Sequence, residues 1–379
     1  MIDVSAIRVG EYQPDAINRA IAQLLAPLGG MAAFVKPGQR VLIKPNMLAG
    51  KPPERAVTTH PLVVRSVIEA AQAAGGVVSV GDSPGVENPV AVALKCGIME
   101  VIEQTGARFA PFTDSVQVEC SGKTFHRLEL ARDILETDVI INLPKLKTHQ
   151  MMGLTCGVKN LFGAVVGLRK PRLHLQAGTD KDFFALMLLE LSEFIAPNLT
   201  LVDAVVGMEG DGPGGGDPVA IGCLLASGSP VAVDTIAAEI VGLRQDSIWT
   251  QKVARGKGLD GAILDDINLV GTQLSQLKIE NFRPSKTTDV NFGLPPFIKT
   301  RLKRSLTAYP RIDRAHCRLC NDCVRHCPPE AMRQENSAVI IDYDRCIRCF
   351  CCQELCSHKA VETEQGWLLR ATEFLQGKG

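Results

Sequence analysis

The sequence has no surplus of either charge. Its 41 basic and 41 acidic side chains cancel, so nothing global marks a partner for nucleic acid. It has no run of about eighteen apolar residues, and no membrane-spanning helix is expected. Its start, Met1-Ile-Asp-Val-Ser, lacks a basic region followed by an apolar run, so no signal peptide is expected. The glycine-rich stretch Gly207–Gly216 lacks the lysine-serine ending of a P-loop, and it does not match a dinucleotide G-x-G-x-x-G opening a helix. No Gly-x-Ser-x-Gly stands out as a nucleophile elbow. What is present is length and sulfur. The 379 residues, 46% apolar, suffice for two or three domains with a real core. Thirteen cysteines without a secretion signal fit a reducing compartment, and the cytoplasm is the expected location.

The cysteines are patterned. Residues 317–328 read Cys317-Arg-Leu-Cys320-Asn-Asp-Cys323-Val-Arg-His-Cys327-Pro328, and the spacing C-x2-C-x2-C-x3-C returns as Cys346, Cys349, Cys352 and Cys356. Ala331 and Ala360 each follow the last cysteine by four residues, so the repeat outlasts the sulfurs. A cubane needs four converging thiolates. Three closely spaced cysteines wrap one corner, and in two-cluster ferredoxins the fourth comes from the other repeat. This gives Cys317, Cys320, Cys323 and Cys356 to one [4Fe-4S] cluster, and Cys346, Cys349, Cys352 and Cys327 to a second. Zinc modules offer cysteines in pairs with longer spacers, and disulfides belong to secreted chains. Cys351 lies outside the repeat and reads as a bystander thiol.

Residues 308–366 resemble the bacterial-type ferredoxin family, with repeats at about 308–336 and 337–366. One departure is Cys356-Ser357, where the first copy has Cys327-Pro328. Proline there would fix the chain as it leaves the cluster.

Upstream, the pattern alternates. Helical periodicity spans 14–26, 61–74, 89–104, 183–195 and 230–242. Apolar strands are expected at 40–44, 77–80, 108–112, 138–143, 199–203 and 219–226. Such alternation predicts an α/β domain with a layered, mainly parallel sheet over residues 1–275. A proline-bearing, basic linker follows at 276–307, then the small α+β ferredoxin-type domain and a tail at 367–379.

In open α/β sheets, ligands bind beyond the carboxyl ends of the strands. Lys44 and Asn46, Asp82 and Ser83, Asn142, Lys145, Lys147 and His149 stand there, and Asp203 and Asp211 flank the glycine-rich loop. A buried strand emptying into alternating lysines suits an anion such as a carboxylate or phosphate. The competing reading is a solvated loop, since lysine is mostly exposed. Asp234 is read as interacting with the N-terminal end of its own apolar helix.

Lys44-Pro45-Asn46, Gly81-Asp82-Ser83-Pro84-Gly85, Pro144-Lys145-Leu-Lys147-Thr-His149 with Lys159-Asn160-Leu-Phe-Gly163, and Ser229-Pro-Val-Ala-Val-Asp234 resemble the domain-of-unknown-function 362 family over residues 38–245. The resemblance implies an architecture and a site more than a reaction. The expected site has His149 and Lys145 as catalytic groups. Lys44, Asn46, Asp82, Lys147, Lys159, Asn160 and Asp211 would bind a small anionic ligand. Two functions are carried forward. In one, the clusters feed electrons to a substrate or cofactor in the α/β domain; in the other, the chain is an electron carrier whose α/β domain docks a partner protein. A redox partner is expected in both.

Overall fold

The computed structural model describes residues 1–85, 87–120, 122, 124, 127–167, 169–286 and 307–367. Most of the expected linker and all but the first residue of the expected tail lie outside them. In chain order the strands are β1 (Ile2–Arg8), β2 (Arg40–Pro45), β3 (Val77–Val80), β4 (Arg108–Phe109), β5 (Ser115–Glu119), β6 (Arg127–Ala131), β7 (Val139–Leu143) and β8 (Lys145–His149). They continue as β9 (Gly153–Thr155), β10 (Leu199–Glu209), β11 (Asp217–Ser227) and β12 (Ile267–Gly271). The C-terminal module holds β13 (Ala308–Ile312), β14 (Met332–Glu335), β15 (Ala338–Ile341) and β16 (Val361–Gln365).

One large sheet runs β12-β1-β11-β10-β7-β2-β3-β4, with β8 and β9 attached beside β10. The run β10-β7-β2-β3-β4 is parallel, and β11 turns the sheet antiparallel. Helices cover both faces. Ile17, Ile21 and Leu24 from the helix Pro14–Leu25 and Val63, Val64 and Val67 from the helix Pro61–Ala73 seal one side, while Phe184, Leu188 and Leu191 from the helix Lys181–Ile195 seal the other. Strands buried on both faces explain the near-continuous apolar runs. The helical stretch read as 89–104 is two helices, Pro89–Lys95 and Ile98–Thr105. Gly97 at φ +77° breaks it, a conformation open to glycine.

The stretch after Leu143 departs most from expectation. Pro144 interrupts β7, but the chain re-enters the sheet as β8 and pairs with β10. All five residues of β8, Lys-Leu-Lys-Thr-His, are buried. The solvated-loop reading fails because each polar side chain finds internal partners.

In the small module the two repeats share one backbone. Leu319 and Arg348, Asn321 and Phe350, and Glu330 and Lys359 occupy the left-handed region in matching pairs. Asp313 N–H donates to Ala360 O, and Asp342 N–H to Ala331 O, so each repeat begins on the end of the other. The module rests on the α/β domain through Lys51 Nζ to Ser357 O at 3.1 Å, Lys286 Nζ to Thr363 O at 3.3 Å, and His149 to Glu354.

Candidate functional site

Where the parallel strands end, a cavity of about 80 Å³ lies between the sheet domain and the second cysteine repeat. Its wall includes Asn46, Asp82, Ser83, Lys147, His149, Thr155, Lys159 and Asn160 from the sheet domain. Lys170 and His174 come from the helix Arg169–Ala177, and Cys351, Glu354 and Leu355 from the module.

A buried network shapes this wall. Lys44 Nζ lies 2.6 Å from Asp82 Oδ1 and donates to Asn160 O at 2.6 Å. A Cβ at Gly163 would sit 2.0 Å from Asp82 Oδ1, so only glycine lets this pair form. Asn46 Nδ2 donates to Asn160 Oδ1 at 2.9 Å, and Asn160 Nδ2 to Asn142 Oδ1 at 2.8 Å. Lys147 Nζ donates to Asn46 Oδ1 at 3.0 Å and Val57 O at 2.7 Å. Burial pushes its ammonium down to about 7. Lys170 Nζ binds Ser83 O, Ser83 Oγ and Pro84 O at 2.5, 3.0 and 2.8 Å, and burial likewise takes it to about 7.

His149 Nδ1 accepts from the N–H groups of Met151 and Met152, which leaves its proton on Nε2. That atom lies 3.1 Å from Glu354 Oε1. Burial lowers the imidazole and keeps it neutral. Burial also works to raise the Glu354 carboxyl, but the facing His149, Lys159 and His174 outweigh it and hold the group ionised.

Three wall groups are unpartnered among the described residues. Lys159 Nζ meets only the Phe162 ring, 4.7 Å from its centroid, and burial lowers its ammonium. Thr155 Oγ1 and His174 Nδ1 are buried without a hydrogen bond. Lys159 is positioned from outside the cavity. Asp234 accepts from Gly157 N–H at 2.5 Å and Val158 N–H at 3.2 Å, and so caps the short helix Gly157–Asn160. Its role at the start of its own helix is thereby corrected, since it lies one turn inside Pro230–Ile240.

Two expected site residues lie elsewhere. Lys145 shares a strand face with Lys147 and His149, but a two-residue step moves it about 7 Å along the strand. There it pairs with Asp203 Oδ2 at 2.5 Å and donates to Tyr12 Oη at 2.8 Å and Val206 O at 3.0 Å. Asp211 stands 3.6 Å from Lys286 at the domain surface, off the cavity wall. Sequence reasoning passed over Lys170 and His174, whose i, i+4 spacing in a polar helix was the available signal. It also passed over Glu354, and Cys351, expected to be a bystander thiol, stands on the cavity wall.

The last cysteine of each repeat neighbours thiols of the other repeat. Burial, then the thiols of Cys356, Cys320 and Cys317, raise Cys323. Cys327 is raised by burial and by Cys349 and Cys346. Ala331 N–H donates to Cys327 Sγ and Ala360 N–H to Cys356 Sγ, each at 3.2 Å. The donor set thus fits thiolate-ligated iron–sulfur clusters, whose sulfurs take such bonds.

Residues 41–239 match the family described as a domain of unknown function, DUF362, and residues 309–357 match a 4Fe-4S dicluster domain. Over 309 residues, 79% of this chain and 93% of the relative, the sequence is 36% identical to a thylakoid-associated protein of Synechocystis. A stretch of 59 residues, 16% of this chain and 69% of the relative, is 36% identical to pyruvate synthase subunit PorD of Methanothermobacter marburgensis. Among solved structures, the lactate racemase apoprotein from Thermoanaerobacterium thermosaccharolyticum aligns with 62% of this chain and 56% of its own, at a TM-score of 0.40 and 11% identity. Among the described residues no helix is long and apolar enough to cross a membrane.

Proposed function

Because the chain belongs to the domain-of-unknown-function 362 family and ends in a 4Fe-4S module of electron-transfer type, we propose that it reduces a small anion held in the cavity. The observation that carries this reading is the shared wall: Cys351, Glu354 and Leu355 of the module close a cavity whose other sides carry Lys147, Lys159 and Lys170. Two [4Fe-4S] clusters would be held by Cys317, Cys320, Cys323 and Cys356, and by Cys346, Cys349, Cys352 and Cys327. When bound, they supply electrons one at a time.

The chain's own groups do the rest. Lys159, Thr155 and His174 offer free hydrogen-bonding atoms to the anion. An ammonium without an oxygen partner in a buried wall is stabilised by an incoming negative charge. Lys147 adds charge once the anion raises its proton affinity. His149 Nε2–H orients Glu354 at the wall, and a proton for the reduced product comes from Lys147, whose ammonium burial brings down to about 7. Lys44, Asp82, Asn46 and Asn160 fix the wall, and Lys145 braces the strand that carries Lys147. An apolar cavity of roughly 150 Å³ takes benzene, so about 80 Å³ suits a molecule of few heavy atoms. We place the protein in the cytoplasm because thiolate-ligated 4Fe-4S chemistry needs a reducing compartment. Fractionation that finds it bound to membranes would reject that placing.

The test is a thermal-shift screen of small carboxylates and inorganic oxyanions on anaerobic protein. It is followed by mixing each hit with dithionite-reduced protein and recording visible bleaching and its recovery. A hit that stabilises the wild type, reoxidises it, and does neither with Lys159→Met supports the reading. Hits indifferent to Lys159, or none at all, would favour the carrier function.

A further inference from the structure

The two repeats share a backbone but differ in the side chains mounted on it. Cys351, Glu354 and Leu355 line the cavity, and the same places in the first repeat hold Asp322, Arg325 and His326. Phe350 is buried, at 1% exposure, where its counterpart Asn321 is not. The burial of the sulfurs follows. Cys346, Cys349 and Cys352 are buried, whereas Cys317 and Cys323 are half-buried and Cys320 is exposed. One cysteine triplet is therefore buried in the repeat that lines the cavity, and the other reaches the surface.

The surface around the outer triplet is basic. Arg314, Arg318 and Arg325 are all exposed. Arg325 pairs with Asp322, while Arg314 and Arg318 have no ion-pair partner among the described residues. His316 pairs with Asp313 nearby. In the second repeat the counterparts of Arg314 and Arg318 are Tyr343 and Ile347. Two unneutralised guanidinium groups flanking the exposed end of an electron-transfer module form a surface that attracts negative charge and speeds encounter.

We propose that the face around Arg314, Arg318 and Cys320 is the electron-entry surface and docks an acidic one-electron carrier protein. Each encounter moves one electron: the carrier is oxidised by one, the chain is reduced by one, and no proton need cross. The cavity side of the module then serves as exit, which rests on the function proposed above; the docking face does not.

The probe is an acidic [2Fe-2S] ferredoxin, with the full chain holding its clusters. Binding is followed by calorimetry from about 20 to 300 mM salt, where screening of exposed charge grows steeply. The wild type is expected to bind at low salt and to lose affinity about tenfold or more across that range. Arg314→Glu/Arg318→Glu is expected to weaken binding about tenfold or more at low salt. Arg65→Glu, on a distant helix of the α/β domain, serves as control and should bind as the wild type. Visible absorbance checks that clusters are retained. No wild-type binding at low salt, a double variant that binds normally, or an equal loss in the control would each overturn the proposal. If docking follows the arginines but no anion ever binds the cavity, the entry face stands and the reductase reading falls.

Discussion

The first and second cysteine repeats solve the same local problem and face different worlds. Both wrap their sulfurs with paired left-handed residues and matching amide-to-sulfur bonds. What separates them is a handful of side chains on that frame. Arg318 and Arg325 leave the first repeat in water, while Glu354 and Leu355 turn the second against the α/β domain. Ligand geometry is thus set by backbone and spacing, and direction is set by what stands between the sulfurs. Copies of one unit gain distinct roles without any change to the ligands.

The largest expected break in this comparison comes from the ligands themselves. Cys349→Ser and Cys320→Ser should each lose about four of about eight irons. Only Cys349→Ser should also open the cavity and abolish anion binding; Cys320→Ser should keep it within about twofold. Iron analysis beside a binding titration checks this, and equal losses of binding would refute the assigned polarity.

Exchanging equivalent residues is the next largest test. Glu354→Arg removes the partner of His149 and sets a fifth cation among buried lysines, at a cost of about 3–5 kcal/mol. Arg325→Glu, exposed on the outer repeat, should cost no more than about 1 kcal/mol. Denaturant unfolding under anaerobic conditions measures both. Similar values would mean the repeats are not differently embedded.

Lys159→Met should weaken anion binding about thirtyfold, the loss of a charge-assisted hydrogen bond. It should change stability by no more than about 1 kcal/mol, because relief of the buried ammonium's desolvation is offset by a cation lost from Glu354. A destabilised variant would mark Lys159 as structural instead.

The smallest expected effect is on pH. Lys147 is pushed from its ordinary value down to about 7 in the free protein. A bound anion raises it, so the complex holds more protons than the free protein. Affinity should therefore be flat below about pH 7 and fall about tenfold by pH 9, with proton uptake visible in calorimetry. Docking at the arginine face should not change over this window, since guanidinium stays charged. The same lowered lysine makes the unfolded chain hold more protons between about 7 and its ordinary value, so unliganded stability should rise with pH across that window.

Much of this was legible from the residues. The 4Fe-4S module was legible in the doubled cysteine spacing, because a cubane needs closely spaced thiolates. The β-α alternation followed from period and turn residues. The residues of β8 were expected just beyond a strand end, and their forming a strand of their own was not legible, since their partners come from positions as distant as Tyr12, Asn46 and Val57. Glu354 was passed over, and Cys351 read as a bystander, for a similar reason. They stand inside a ligand motif, and only the packing of one module on another gives them a second task. The aligned repeats held a clue, since Arg325 in one copy is Glu354 in the other.

The cavity wall described above joins Asn46, near the start of the chain, to Leu355, near its end. A ribosome releases the sheet domain long before it releases the module, so the nascent sheet domain carries an open, water-filled groove lined with lysines. The wall is complete only once the second repeat, which supplies Cys351, Glu354 and Leu355, has been made. Ligand retention is therefore expected to report on completed maturation, and an apoprotein starved of iron should let go of the anion even with every lysine in place.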